Sequence, residues 1–367
     1  EEDGYADEVV DSGSANLVPD TEGELIDETD SALQKSADAS FSSDTPEGWA
    51  VCGTCMWNID SDGMLVIKPA NGISGEFEKW KGTYDEPDTP WREKASEITS
   101  VKVESGVVAP SSIWGMFVGC SSLVSADLKE LDAASVSDIG SMFRGCSSLN
   151  SIEFPENGMP RVNDVQDAFS DCASLESIDL SFLKGAVIQG NMEGMFYGCS
   201  DLRSVNLSGL DTSKATGMAN LFRGCSSLES VELSGMDTSA ATSMNCMFRD
   251  CANLTSLDLS SFRTDQLVEM NRMFEGCSSL AYLNLSSFDT SKLSCVENRS
   301  GMVSVFSGCA SLKTVVLGEN FTFNGSGTER QCSLPTPRKG GLEGKWQDAK
   351  GQVFVPSEVP DGAGTYT

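Results

Sequence analysis

Residues 222–259 read FRGCSSLESVELSGMDTSAATSMNCMFRDCANLTSLDL, and the pattern F-R-x-C-x-x-L-x-S-x-x-L occurs twice in them, 26 residues apart. The same unit, aligned on its cysteine, recurs along the chain at Cys120, Cys146, Cys172, Cys199, Cys225, Cys251, Cys277 and Cys309. Six of the seven intervals between these cysteines are 26 or 27 residues, and the last is 32. A fixed period of this length is typical of proteins built from stacked repeats.

Each unit contains two hydrophobic periods. Met244, Met247 and Phe248 follow helical spacing, whereas the next segment has the form L-x-x-L-x-L, with alternating apolar residues. This change of period predicts one short helix and one short strand in each repeat. A unit of this size cannot bury its own apolar side, so the units are expected to stack. The sequence therefore predicts an α/β leucine-rich-repeat solenoid that is right-handed, with a parallel β-sheet on one face and short helices on the other.

The chain divides into four regions by composition. Residues 1–47 hold 15 Asp and Glu against one Lys, so we expect an acidic, disordered tail. Residues 48–110 are predicted to form a β-rich N-terminal cap, with a hairpin at 54–69 around an Asp-Gly turn. Residues 111–317 form the solenoid of about eight repeats. Residues 318–367 are expected to close its C-terminal end.

The cysteine column is predicted to consist of buried, reduced thiols with a structural role. Cysteine behaves as a small hydrophobe with a weak S–H donor, and a tight turn leaves buried backbone groups in need of partners. Disulfides between neighbouring units are disfavoured, because the strand spacing of ~4.8 Å exceeds the ~3.8 Å separation between Cβ atoms that a disulfide prefers. Cys52 and Cys55 form an isolated C-x-x-C. A local disulfide and a buried thiol pair both remain open there.

The segment Asp-Thr-Ser precedes the predicted helix in several units, at Asp211, Asp237 and Asp289. It resembles an N-cap, in which Asp or Thr accepts hydrogen bonds from free backbone N–H groups. An Asp column could instead hold Ca²⁺, but the glycine-rich nonapeptide of calcium-binding β-rolls is missing. We therefore predict no metal site and no cofactor.

The residues that flank the inner Leu of each strand are expected to point outward onto an open sheet. One outward column is Ser125, Ser151, Ser177, Ser204, Ser230, Ser256, Tyr282 and Thr314. The other is Asp127, Glu153, Asp179, Asn206, Glu232, Asp258, Asn284 and Val316. This hydroxylic and acidic surface has two interpretations. It is either a solvated face that prevents the sheet from aggregating with other molecules, or a docking strip for a cationic protein segment or a glycan. Its candidate binding residues are Asp127, Glu153, Asp179, Asn206, Glu232, Asp258, Tyr282 and Asn284.

Composition excludes several function classes. The formal charge of −30 repels phosphate backbones and so disfavours nucleic acid as a partner. Histidine is absent, which removes Ser-His, Cys-His and His-ligated zinc chemistry. No segment approaches the ~18 apolar residues of a membrane helix, so membrane insertion is not expected. The start has no signal-peptide pattern, and we expect that any secretion signal has been removed. The oligomeric state is not indicated.

The last repeat carries six additional residues within SKLSCVENRSGM (291–302). This insertion contains Cys295, Glu297, Asn298 and Arg299 and is predicted to be an exposed loop. Insertions in repeat proteins map to loops on one face, which is often the binding face.

Four segments together resemble the BspA-like leucine-rich repeat surface proteins of gut and oral bacteria. They are the G-T-C…W-x-I-D-x-D-G-x-L-x-I segment at 53–67, the PW segment at 90–107, the eight repeats at 116–317, and GKW…GTYT at 344–367. The resemblance implies an extracellular protein, cell-wall or cell-surface associated, that binds host matrix, host cells or other bacteria. The second and third units depart from the pattern, since they lack Asp-Thr-Ser. No catalytic residues are implied by this family.

Three functions compete on this sequence. The first is a non-enzymatic, secreted or cell-surface protein that binds host or bacterial surface proteins or glycans. The second is a structural spacer that displays another domain. The third is a carbohydrate-active enzyme with a carboxylate pair, which would require a pocket that buries two carboxylates to different extents. A flat acidic face offers no pocket that would raise the pKa of one carboxylate, which argues against the third function. We choose the first.

Overall fold

The structure is a computed structural model that describes residues 45–80, 82–83, 86–207, 209–293, 295–296, 299–323, 332–337 and 344–367. The predicted acidic tail lies outside the described residues apart from its last three positions. Glu297 and Asn298 of the predicted insertion also lie outside them. Glu47–Thr367 form one structural unit, which contains every strand described below.

Eight strands precede the repeats, and three of them form the predicted hairpin region. They are β1 (Ala50–Cys52), β2 (Cys55–Ile59), β3 (Met64–Pro69), β4 (Gly75–Glu76), β5 (Gly82–Thr83), β6 (Glu86–Pro87), β7 (Ser100–Val103) and β8 (Val107–Val108). β2 pairs antiparallel with β1 and with β3, and the turn to β3 contains the predicted Asp-Gly pair. Gly63 has a φ of 83° there, a conformation that glycine adopts without a steric penalty. β3 then pairs in parallel with β7, which starts the stack.

Each later repeat forms one coil of chain, named here by its column cysteine. Twelve strands lie in the coils: β9 (Ser125–Asp127), β10 (Ser151–Glu153), β11 (Ser177–Ile178), β12 (Val187–Asn191), β13 (Ser204–Asn206), β14 (Asp211–Gly217), β15 (Ser230–Glu232), β16 (Ser256–Asp258), β17 (Tyr282–Leu285), β18 (Cys295–Val296), β19 (Arg299–Ser300) and β20 (Thr314–Leu317). The strands of the Leu segments pair in parallel and in register within three sheets, which are separated between β10 and β11 and between β15 and β16. Ser151 lies opposite Ser125, and Leu283 lies opposite Leu257. A parallel leucine-rich repeat sheet is therefore present, as predicted.

Three short strands follow the last coil: β21 (Trp346–Gln347), β22 (Val353–Phe354) and β23 (Gly364–Tyr366). β23 runs antiparallel along β20. The main sheets then have the orders β1-β2-β3-β7-β9-β10, β11-β13-β15 and β16-β17-β20-β23. β12 and β14 form a separate parallel pair, β4 pairs in parallel with β8, and three antiparallel pairs join β5 to β6, β18 to β19 and β21 to β22.

The prediction of one short helix in each repeat is wrong. The described residues contain no α-helix, and their helical segments are 3₁₀ turns at Arg92–Glu97, Ser181–Leu183 and Pro356–Glu358. The Met-Phe segment of each coil is instead a run of tight turns, called the turn face here. A residue with positive φ interrupts this run in every coil; these residues are Gly115, Ser141, Asp167, Gly194, Asn220, Cys246, Arg272 and Ser304. A left-handed residue cannot continue a right-handed helix.

The turn face divides its backbone hydrogen bonds between two directions. In the Cys146 coil, the N–H groups of Met142, Arg144 and Cys146 donate to carbonyls three residues earlier in the same coil. The alternate N–H groups of Ser141 and Phe143 donate to the next coil, at 2.8 and 2.9 Å. A helix would direct every N–H group to its own chain four residues back. Donation between coils therefore replaces helix formation, although the apolar spacing is the same.

The interior is one continuous apolar core. The column phenylalanines are fully buried and stack face to face with ring centroids 5.3–6.1 Å apart; they are Phe117, Phe143, Phe169, Phe196, Phe222, Phe248, Phe274 and Phe306. Trp91 stacks on Phe117 at 6.1 Å and extends the column toward the hairpin region. Burying one such ring stabilises the fold by about 1.5–3 kcal/mol. The stacked coils thus share a core that no single coil could enclose.

The eight column cysteines are buried and free of disulfide bonds. From Cys146 onward, each Sγ donates to the carbonyl oxygen of the phenylalanine one coil earlier, at 3.0–3.2 Å. Each of these carbonyls also accepts from the backbone N–H of the cysteine in its own coil, as Phe117 does from Cys120. The thiol thus supplies a second, weaker hydrogen bond to the same carbonyl, from a side chain that otherwise behaves as a small hydrophobe.

The predicted N-cap role of Asp-Thr-Ser is wrong, because no helix begins there. Asp237 Oδ1 accepts instead from the N–H of Ser239, two residues later, and so closes a local turn. The Thr hydroxyl bridges two coils. Thr238 is 1 % exposed, donates to the carbonyl of Arg263 at 3.0 Å and accepts from its N–H at 2.8 Å. Thr212, Thr264 and Thr290 do the same in their coils.

Leu257→Asp is expected to unfold the central coils. Leu257 is 4 % exposed in the middle of β16, and an unpaired buried carboxylate costs several kcal/mol. Thermal unfolding followed by circular dichroism measures the loss. Ser256→Asp is the matched control, since Ser256 is exposed in the same strand and should leave the melting temperature nearly unchanged. Equal melting temperatures for the two variants would contradict the strand orientation.

Thr238→Val is expected to lower the free energy of unfolding by about 1–3 kcal/mol, because it leaves both backbone groups of Arg263 without their partner. Denaturant unfolding gives this value. Thr242→Val serves as the comparison, since Thr242 is exposed and its hydroxyl makes one hydrogen bond, to the carbonyl of Thr216. A loss at Thr238 no larger than that at Thr242 would rule out the bridging role.

The column thiols are expected to resist a disulfide reagent in native protein at pH 8 and to react after denaturation. Burial raises the pKa of Cys120 to about 12, so its reactive thiolate is scarce as well as inaccessible. Counting the thiols released with time tests this expectation. Cys246 and Cys332 are half-buried and should react first. Rapid labelling of all eight column cysteines in native protein would exclude their burial.

Candidate functional site

The outward side chains of the coil strands form a flat polar surface, called the strand face here. The parallel register places the predicted column residues side by side, with Glu153 opposite Asp127 and Asn206 opposite Glu232. Most of them are exposed; the half-buried ones are Ser125, Asp127, Asn284, Thr314 and Val316. Neighbouring strands lie ~4.8 Å apart. The strand face thus presents polar groups at a regular spacing.

The acidic column also has a structural role that the sequence did not reveal. The Oδ1 atom of Asp258 accepts from the N–H of Ser260 at 2.9 Å, and Asn284 does the same with Ser286 at 3.0 Å. Asp179 bonds to Ser181 and Glu232 to Ser234 in this way. These side chains end the strands by closing a local turn. Hydrogen bonds from Ser260 hold the pKa of Asp258 below its usual value, so this carboxylate is ionised at neutral pH.

The C-terminal end of the strand face is less polar than the rest. Tyr282 is 36 % exposed, and its neighbours across the sheet are Ser256 and Thr314. Val316 follows next to Asn284. Tyrosine is one of the residue types that are enriched at the energetic centres of interfaces.

The turn face contains a cavity of about 310 Å³ lined by Trp114, Asp138, Gly140, Asp164 and Gln166. The predictions from the sequence did not include this cavity, because the acidic residues that line it come together only when the repeats are aligned with one another. Burial raises the pKa of Asp164, and the neighbouring negative charge of Asp138 adds to this effect.

A second carboxylate on the turn face, that of Asp167, also has a raised pKa. Burial, followed by the negative charges of Glu193 and Asp171, raises the pKa of Asp167 to about 7. Its carboxyl group lies against Gly194 of the next coil. This part of the turn face therefore holds several carboxyl groups close together, those of Asp167, Asp171 and Glu193.

In the part of the chain that the structure describes, the cysteine pair and the Asp-Thr-Ser column do not belong to a larger cluster of possible metal ligands. Cys52 and Cys55 lie opposite each other in β1 and β2 as buried, unbonded thiols, so the structure has the thiol pair. No group of three acidic, cysteine or histidine side chains that could hold a metal ion occurs among the described residues. Within those same ranges, no helix has the length and apolar character needed to cross a bilayer.

Two family models match the chain. A BspA-type leucine-rich repeat region matches residues 114–218, and a Mycoplasma protein family of unknown function, DUF285, matches residues 190–316. No match was found among curated proteins.

Similar solved structures include two bacterial leucine-rich repeat proteins. One is the leucine-rich repeat protein of T. pallidum, with 22 % identity, coverage of 70 % of this chain and 86 % of the other, and a TM-score of 0.31. The other is a leucine-rich cell surface protein of Faecalibacterium prausnitzii, with 16 % identity, coverage of 78 % and 99 %, and a TM-score of 0.30.

The matching repeat model covers the first coils, which carry the repeated Gly-Cys and Leu motifs. The resemblance is therefore confirmed: the chain carries a BspA-type leucine-rich repeat region at residues 114–218.

Proposed function

We propose that the chain is a non-enzymatic, extracellular binding protein, and that its strand face docks host or bacterial surface proteins or glycans. Leucine-rich repeat proteins generally bind other molecules, and stacked repeats offer extended surfaces for this purpose. The observation that carries the proposal is the in-register pair of polar columns over β9, β10, β13, β15, β16 and β17.

The strand face suits a polar or cationic partner. Its acids include Glu153, Asp179, Glu232 and Asp258, all exposed. Hydrogen bonds fix several of these carboxylates, so they lose little side-chain freedom when a partner binds. The serine column beside them can donate to a glycan hydroxyl or a peptide carbonyl. Lys129 pairs with Glu153 at 2.8 Å, and this exposed ion pair is weak enough to be displaced.

An enzymatic function receives little support. Leucine-rich repeat proteins are generally non-enzymatic. The cavity at Asp138 and Asp164 holds two half-buried carboxylates, but they lie side by side on neighbouring coils. Glycoside hydrolysis requires two carboxylates that flank the scissile bond. In addition, Asp138 uses Oδ1 to accept from Gly140 and Oδ2 to accept from Ser112.

A spacer that only displays another domain would need no ligand for the strand face. The exposed polar columns are compatible with such a solvated surface. Tyr282 favours binding, because a solvated spacer has no need for an exposed aromatic ring on its sheet. The two functions differ in whether charge on the strand face matters to any partner.

The full chain should bind at least one component of an array of matrix proteins and glycans. For that component, the triple variant Asp179→Asn, Glu232→Gln, Asp258→Asn is expected to bind about tenfold more weakly, since three exposed charges contribute about 0.5 kcal/mol each. These substitutions keep the oxygen atoms that close the local turns. Surface plasmon resonance gives the dissociation constants.

The matched control removes three exposed charges elsewhere: Glu93→Gln, Glu97→Gln and Glu358→Gln lie in 3₁₀ turns outside the coil strands. This control should bind as the parent chain does. An array without any binding would favour the spacer, and equal binding by both triple variants would place the docking surface elsewhere.

A further inference from the structure

The cavity on the turn face arises because one coil lacks a side chain that its neighbours have. The residues equivalent to Gly140 in the other coils are Trp114, Gln166, Glu193, Ala219, Asn245, Asn271 and Val303. Gly140 therefore leaves a gap between Trp114 on the preceding coil and Gln166 on the following one. Since neighbouring coils are ~4.8 Å apart, the two walls are separated by roughly 10 Å. We call this gap the Gly140 notch.

Two carboxylates converge on the Gly140 notch. Ser112, Asp138 and Asp164 pair with one another in parallel register on three successive coils. A Cβ atom placed on Gly140 would lie 3.2 Å from Oδ1 of Asp138 and 3.6 Å from Oδ1 of Asp164. Both oxygens thus border the space left by the absent side chain.

The neighbouring residues hold these carboxylates in place. Asp138 Oδ1 accepts from the N–H of Gly140 at 2.8 Å, and its Oδ2 accepts from the hydroxyl of Ser112 at 2.7 Å. Asp164 Oδ1 accepts from the N–H of Gln166 at 3.0 Å. No Lys or Arg of the described chain forms an ion pair with either carboxylate. Two fixed carboxyl groups therefore border the notch without an ion-pair partner among the described residues.

An aromatic ring forms one wall of the Gly140 notch. Trp114 is half-buried, and its carbonyl oxygen accepts from the indole N–H of Trp80 at 2.9 Å, which anchors its backbone to the N-terminal region. A ring beside two carboxylates attracts cations, because the face of an indole carries negative potential. A ring and paired acids around Gly140 are thus complementary to a flat or compact organic cation.

Electrostatics favours such a ligand. Burial and the charge of Asp138 raise the pKa of Asp164, which means that its ionised form is destabilised in the free protein. A cation between the two acids would relieve this destabilisation, whereas a neutral sugar would not. A protonated amine or guanidinium is therefore preferred over a glycan.

We propose that the Gly140 notch binds the side-chain ammonium or guanidinium group of a Lys or Arg residue on a partner protein. The cation would lie over Gly140, between Trp114 and Gln166, and donate hydrogen bonds to Asp138 and Asp164. This site is on the turn face and does not depend on the strand face. It goes beyond the proposed function by adding a second contact point of defined charge.

The test uses three small probes: Nα-acetyl-arginine amide, Nα-acetyl-lysine amide and the neutral isostere Nα-acetyl-citrulline amide. Titration of the full chain is followed through the indole N–H signals in nitrogen-15 NMR spectra, which report on Trp114 directly. The arginine or the lysine probe should shift the Trp114 signal and bind about tenfold more tightly than the citrulline probe. Equal shifts from citrulline would overturn the proposal.

Two variants of the full chain locate the site. Gly140→Asn fills the notch with a side chain that the coils already accommodate at Asn245 and Asn271, and it should abolish the shift. Asp164→Asn should weaken binding about 3- to 30-fold. Melting temperatures equal to that of the parent chain show that both variants fold. If Gly140→Asn folds and still binds the arginine probe as the parent does, the notch is not the site.

The triple variant of the strand face separates this proposal from the proposed function. It should bind the arginine probe with parent affinity, whatever its effect on array partners. A loss of probe binding in that variant would contradict the notch and indicate capture of the cation by the strand face. A neutral glycan that shifts Trp114 more than either cationic probe would also overturn the assignment.

Discussion

The alternation of backbone hydrogen bonds on the turn face is the constraint on which the rest of this structure depends. Every second N–H group there donates to the next coil, as those of Ser141 and Phe143 do. This pattern holds the coils at strand spacing on the side opposite the sheet, and it requires a left-handed residue in each turn. The phenylalanine stack, the thiol bonds and the threonine bridges all depend on that fixed spacing.

The strands could be predicted from the sequence because one face of each strand contacts the protein core and the other contacts water. Leu257 and Leu283 are buried and Asp258 is exposed, and the period of two in the sequence shows this alternation directly. The turn face could not be predicted in the same way. Met244, Met247 and Phe248 have helical spacing, yet a run of tight turns buries the same positions. The spacing of apolar residues indicates which side chains are buried in the core. It does not indicate which carbonyl groups accept hydrogen bonds from the backbone N–H groups.

Polar residues were harder to interpret, because their partners lie one coil away. Thr238 follows an Asp, as an N-cap would, but its hydroxyl bonds to Arg263 in the next repeat. The Gly140 notch could have been found by writing the chain in rows of 26 and comparing columns. Gly140 is then the only glycine among its equivalents, and it lies between a tryptophan and a glutamine. The convergence of the two carboxylates on Gly140 could not be predicted from the sequence, since it depends on the hydrogen bonds of Asp138.

The direction of β23 has a consequence for assembly. A stack of identical parallel coils ends in an open edge whose free N–H and C=O groups could accept another parallel strand, and in principle such growth has no limit. β23 occupies that edge on β20 in the reverse sense, from Gly364 to Tyr366. A parallel strand can therefore reach the edge of β20 only by displacing β23. This pairing protects the edge of β20 against the edge-to-edge association that leads to filaments.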